Sequence, residues 1–140
     1  MTSAIIVGPG EGETISSGAS ATHVKVDIEG LFLSEVSLEG APMIDLHIHK
    51  RHVDAFYVLE GELEVALSET ETIRLGPGGF AAAPPGVPHA FGAPDRARFL
   101  NIHAPGMAFG SYLRELVAFR QRGETPPPEL LQRFDIHPLP

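Results

Sequence analysis

The chain has 140 residues, room for one domain with one sizeable core. Its 10 basic and 18 acidic side chains leave a net charge of −8, which argues against nucleic acid or an anionic membrane surface as the main partner. With no cysteine, neither a disulfide framework nor a thiolate metal site is available, so any metal would be held by nitrogen and oxygen, for which seven histidines are present.

Fifteen glycines and 13 prolines point to many turns and short strands. Residues 1–20, rich in Gly, Ser, Thr and Glu, read as an arm, either frayed or laid on a neighbouring subunit. No basic segment leads into a long apolar run, so neither a signal peptide nor a transmembrane helix is expected, and the cytoplasm is the default location. Residues 21–106 read as a series of strands. In 22–29, Val24, Val26 and Ile28 share one face, and 31–38 follows after Gly30. After the turn at 39–42, residues 43–49 alternate again, with Ile44, Leu46 and Ile48 on one side and Asp45, His47 and His49 on the other. Residues 55–67 form two apolar runs joined at Glu60-Gly61-Glu62, a hairpin pattern. Segments 71–75 and 80–83 end at Gly- and Pro-rich turns, and after a turn at 92–95 the last strand spans 96–104. Eight or nine short strands at this spacing predict a sandwich or barrel. Residues 107–140 are helical in pattern. Phe109, Tyr112, Leu113 and Leu116 fall near one face of a helix over 108–121, with Gly123 as its cap. Thr125 is the expected N-cap of a second short helix that runs through Phe134.

His47 and His49 are two apart on a predicted strand, so both imidazoles leave from its polar face and can share one cation. Asp54 opens the next strand and can return a carboxylate to the same place, while His89 comes from a separate strand after a proline-rich turn. Three imidazoles and a carboxylate suit Mn, Fe, Co, Ni, Cu or Zn better than Mg or Ca. The plain alternative is two half-exposed strand histidines, with Asp54 a turn former. His52, in the connecting segment, reads as solvated.

GAPMIDLHIHKRHVDAFYVLEG (40–61) resembles the first motif of the cupin superfamily, in which Gly is followed by His-x-His, a carboxylate and a second Gly. GGFAAAPPGVPHAFGA (78–93) resembles its second motif through Gly78, Pro84, Gly86 and His89. There are two departures: the family's glutamate is Asp54 here, one methylene shorter, and its closing asparagine is Ala93. The resemblance, to small single-domain cupins of the quercetinase-like kind, implies an all-β fold. It would be a single antiparallel jelly-roll β-barrel with a C-terminal helical tail, assembled as a homodimer. It implies one divalent transition metal per chain at His47, His49, Asp54 and His89, with positions left open for a small organic substrate. The activity implied first is that of a metal-dependent dioxygenase. A metal-dependent isomerase or cyclase, and a binding or sensing module without turnover, are the alternatives. Asp54, or His103 from the strand 96–104, would take a proton. Asn101 and His103 share one face of that strand and Arg98, Leu100 and Ile102 the other; the pattern leaves open which face points inward. Phe56 and Phe91, close to the motifs, are candidate pocket walls alongside Asn101, with core packing as the alternative for the phenylalanines.

Overall fold

Alternating apolar residues give the two long strands at the start of the fold. A computed structural model of the chain describes residues 3–140. Strands β1 (Glu13–Ser17), β2 (Ser20–Ile28) and β3 (Leu31–Ala41) form an antiparallel meander. Residues 13–17 of the expected arm thus pair with β2 of the same chain, from Glu13 opposite Val24 to Ser17 opposite Ser20, while residues 1–2 lie outside the described residues. Next come β4 (His47–Ile48), β5 (Val53–Gly61), β6 (Leu63–Ala66), β7 (Thr72–Leu75), β8 (Phe80–Ala83) and β9 (Ala90–Ala104). Of the strand expected over 43–49, only His47–Ile48 joins a ladder. It pairs with β10 (His137–Pro138) at the end of the chain.

The long strand β9 organises the sheet. Its first residues, Ala90–Gly92, pair with β6, Ala93 pairs with Ala41 of β3, and from Ala97 onward it lies between β3 and β5. The turn expected at 92–95 is therefore absorbed into one strand. Pro94 and Asp95 fall at a register shift where neither residue has a ladder partner, so the missing proline N–H costs no hydrogen bond. Gly61 takes φ 72 where a Cβ would stand 2.2 Å from the carbonyl oxygen of Arg96, so this corner requires glycine.

The expected closed jelly-roll barrel is not formed. The sheet runs β1–β2–β3–β9–β5–β8, with the β6–β7 hairpin attached through β9, and among the described residues no ladder joins its edges. β1 pairs only with β2, β7 only with β6 and β8 only with β5, so the hydrogen-bonding path ends instead of returning. Side-chain alternation specifies which face of each strand is apolar; it does not specify whether the outermost strands meet. The inner face of this open sheet carries the main core, in which Val36, Leu38, Phe56, Val58, Leu63 and Phe99 are buried.

Helix α1 (Phe109–Gln121) lays Phe109, Leu113 and Val117 against Ile15, Val24 and Phe32 of the first three strands, and Gly123 follows it in the left-handed region at φ 70. Helix α2 (Pro128–Arg133) packs Leu130 with Tyr112, Phe134 and Ile136. It begins later than expected and Thr125 does not cap it. Pro127 is extended at φ −72 and ψ 154, because a residue before proline is kept out of the helical region, and Pro128 then supplies the first helical position.

Candidate metal centre

His47 and His89 face each other across a two-way backbone bridge, each N–H donating to the other's carbonyl at 3.1 Å. His49 follows β4, and its carbonyl accepts from Gly86 N–H at 2.7 Å, which ties the loop before His89 to the same place. All three imidazoles are anchored alike, through Nδ1. His47 donates to the carbonyl of Asp45 at 2.9 Å, His49 to that of Asp135 at 2.8 Å and His89 to that of Val87 at 3.1 Å. This leaves each Nε2 facing inward. The Nε2 atoms of His89 and His49 lie 3.0 and 3.3 Å from Asp54 Oδ2. His47, His49, Asp54 and His89 are all buried, and one ligand atom from each lies within 4.8 Å of the others.

Burial pushes the His47 imidazole down to about 4, so it is neutral at physiological pH. Burial also pushes the Asp54 carboxyl up, but His103 and the hydrogen bonds from His49 and His89 outweigh it and hold the group well below the usual carboxylate range. For His89, burial acts downward and the bond to Asp54 prevails, raising it. The centre therefore holds an ionised carboxylate, a neutral His47 and a His89 that keeps its proton more readily until a cation displaces it, with all three imidazoles oriented by backbone oxygens as divalent transition metals require. The residues present fit such an ion.

A second layer supports the first. Asn101 donates from Nδ2 to Asp54 Oδ1 at 2.8 Å and to the carbonyl of Ala55 at 3.2 Å, which turns its own Oδ1 toward His103 Nε2 at 3.0 Å. His103 Nδ1 meets His52 Nε2 at 2.9 Å, and His52 Nδ1 meets Asp135 Oδ2 at 2.8 Å. The face of β9 carrying Asn101 and His103 thus points inward. His52, expected in solvent, is 1% exposed, because its ring bridges His103 to Asp135. The string lies between two acceptors, the Asp135 carboxylate and Asn101 Oδ1. Its three links need three protons, whereas two neutral imidazoles bring two. Burial opposes the third proton, lowering His52 and pushing His103 down to about 3. His49, His52 and His103 form a second group of potential ligand atoms within 4.8 Å, one that shares His49 with the first.

Asp135 was not legible as a site residue. It follows α2 in the left-handed region at φ 62, fully buried. Its carboxylate accepts from Lys50 N–H at 2.9 Å, Arg51 N–H at 2.8 Å, His52 Nδ1 and His137 Nε2. Burial pushes it up, but these donors prevail and bring it down to about 2. The residue lies more than 80 positions from the loop it holds, and no local pattern announces such a contact.

The centre opens on a cavity of about 550 Å³. Phe91 and Asn101 line it, with Phe99, Phe109, Tyr112 and Leu116. Phe56 does not; it is 1% exposed and packs in the core between Phe91 and Phe99. A cavity of this volume with apolar walls and a polar cluster at one end is the usual form of a small-molecule site.

The Cupin_2 family, described as a cupin domain, matches residues 35–103. The chain carries a cupin domain there. The match covers β3 through most of β9 and includes His47, His49, Asp54, His89, Asn101 and His103, whereas Asp135 and both helices lie outside it. Solved structures share the fold. KdgF from Halomonas sp. is 24% identical with a TM-score of 0.59, over 66% of this chain and 86% of its own. An RmlC-like cupin from Shewanella frigidimarina is 22% identical with a TM-score of 0.62, over 71% and 89%. At these identities the likeness speaks for the fold alone. A conserved protein with a double-stranded beta-helix domain from Klebsiella pneumoniae is 26% identical with a TM-score of 0.55, over 73% and 85%. No curated protein matches the chain. No helix among the described residues is long and apolar enough to cross a membrane.

Proposed function

We propose that this cupin domain is a metal-dependent enzyme acting on a small organic molecule, of the dioxygenase kind. The observation that carries this reading is the common anchoring of His47, His49 and His89 through Nδ1, together with one ligand atom from each of them and from Asp54 lying within 4.8 Å of the others. These four residues would hold one divalent transition ion, which when bound supplies Lewis-acid or one-electron chemistry to an oxygen-bearing substrate. The rest falls to the chain's own groups. Asn101 fixes Asp54 Oδ1 and leaves Oδ2 to the histidines. His103 Nε2, 3.6 Å from Asp54 Oδ1 and bonded to Asn101, is the position at which a proton is held beside the reacting centre. Phe91, Phe99 and Phe109 keep bulk water from the inner end of the cavity.

The test is elemental analysis of untagged protein, then oxygen uptake after reloading with Fe(II), Mn(II), Ni(II) or Cu(II), with sparsely hydroxylated, ring-bearing compounds as first substrates. One equivalent of metal per chain, lost in His49→Ala with the far-UV spectrum unchanged, is the expected result. Full metal retention in His49→Ala, or no metal held after reloading, would overturn the centre. Metal retained without oxygen uptake on any oxygen-bearing ligand of the cavity would overturn the dioxygenase assignment.

A further inference from the structure

The cavity walls and two side chains of no assigned role define the class of molecule that fits. Ser34 lies on the inner row of β3, opposite Asn101 in register and next to Val36. It is 1% exposed, lines the cavity, and its Oγ is the buried side-chain polar atom left without a hydrogen-bond partner among the described residues. An unpartnered buried hydroxyl on a cavity-lining residue is a bond that an oxygen of a bound molecule would complete. Because Asn101 holds Asp54, this hydroxyl stands at the junction between the histidine cluster and the apolar wall.

The second group is Arg120, exposed in the last turn of α1, which lines the cavity together with Leu116 one turn earlier. Nearby arginines are spoken for: Arg114 pairs with Glu13, Arg122 with Glu124 and Arg133 with Glu115. Among the described residues Arg120 pairs with no carboxylate. Arg120 shares the cavity lining with the buried Tyr112. Asp45, the exposed acidic residue of the lining, sits two residues from His47. An anionic head is therefore directed to the α1 side. The rest of the exposed lining is mainly apolar, formed by Val36, Phe91, Phe99, Phe109, Tyr112 and Leu116, although Ser17, Ser20 and Thr22 also reach it, so an apolar ring fits it better than a polyhydroxylated chain.

We infer that the cavity takes a mainly apolar, ring-bearing carboxylate, its acid group on Arg120, its ring on the phenylalanine wall, and a hydroxyl or carbonyl oxygen at its inner end on Ser34 Oγ beside the histidines. This rests on the proposed function only in taking the cavity as the substrate site, and binding can be read without turnover.

The test is calorimetric titration of the metal-free and metal-loaded protein with four probes: 3-(4-hydroxyphenyl)propionate, its amide, 3-phenylpropionate and gluconate. The hydroxy acid should bind best. The amide should be weaker by about fivefold, the size of a rim charge contact, and 3-phenylpropionate by about tenfold, the size of one buried hydrogen bond. Gluconate should not bind. In Arg120→Gln the gap between acid and amide should close, and in Ser34→Ala the gap between the hydroxyl-bearing and hydroxyl-free acids should close. Gluconate binding as well as the hydroxy acid, tyramine (the amine analogue) binding better than the acid, or gaps that survive the substitutions would each overturn the inference. Arg120 is exposed, so its substitution leaves the fold intact even if Ser34→Ala does not. Failure of the metal reading would look different: no ion bound, yet both gaps present in the metal-free protein.

Discussion

Asp135→Asn isolates the support given by the chain's end. Asparagine is tolerated in the left-handed region that Asp135 occupies, so the backbone need not move. Each carboxylate oxygen serves two donors: Oδ1 accepts from Lys50 N–H and His137, and Oδ2 from Arg51 N–H and His52. Whichever way the amide is turned, its NH₂ faces two donors and two bonds are lost. At roughly 1.5–3 kcal/mol for a hydrogen bond to a charged group, the expected loss is about 3–6 kcal/mol, a large share of the stability of a domain this size. Urea unfolding of the metal-free protein at pH 7 measures it without contribution from bound ion. Metal affinity should fall by about tenfold or more, since His49 is oriented by the carbonyl of the same residue. A stability change below about 1 kcal/mol, with unchanged metal affinity, would refute the role given to Asp135.

Three further outcomes are expected. Asp54→Asn should weaken metal binding by at least about tenfold in a competition titration; unchanged affinity would move Asp54 to a supporting role. The metal-free protein should lose stability as pH falls below 6.5, since the unfolded chain takes up protons near that value whereas His47 waits until about 4 and His103 until about 3. Asp135 acts later in the same direction, its contribution present above the unfolded value of 3.8 and lost as pH falls through about 2. A stability profile flat from pH 7 to 4 would contradict the burial of these histidines. Gly61→Ala should cost about 2–4 kcal/mol in thermal or urea unfolding, because its Cβ would meet the Arg96 carbonyl and its backbone would be strained; a neutral substitution would refute that close contact.

What could be read in advance was local. His47 and His49 project together because strand side chains repeat every two residues, and His89 was marked by its proline-rich turn. Closure of the sheet was read wrongly, because alternation along each strand says nothing about edges meeting. His52 was misplaced for a related reason: a histidine in a polar connecting segment reads as solvated until Asp135 and His103 close over it from distant parts of the chain. Pro94 read as a turn because proline breaks ladders, yet β9 changes partner at that position and loses nothing. Ser34 carried no signal, since one serine among apolar strand residues looks like any other.

The pairing of β10 with β4 and the bond from His49 to Asp135 also bear on how the protein is made. The four converging donors lie between positions 47 and 89, while the carbonyl that orients one of them belongs to position 135. During synthesis the donors leave the ribosome well before their brace. A nascent chain halted after β9 carries every side chain of the cluster without the contact that aims His49. Metal affinity should then rise when the segment carrying Asp135 docks, which would make a bound ion a reporter of that docking.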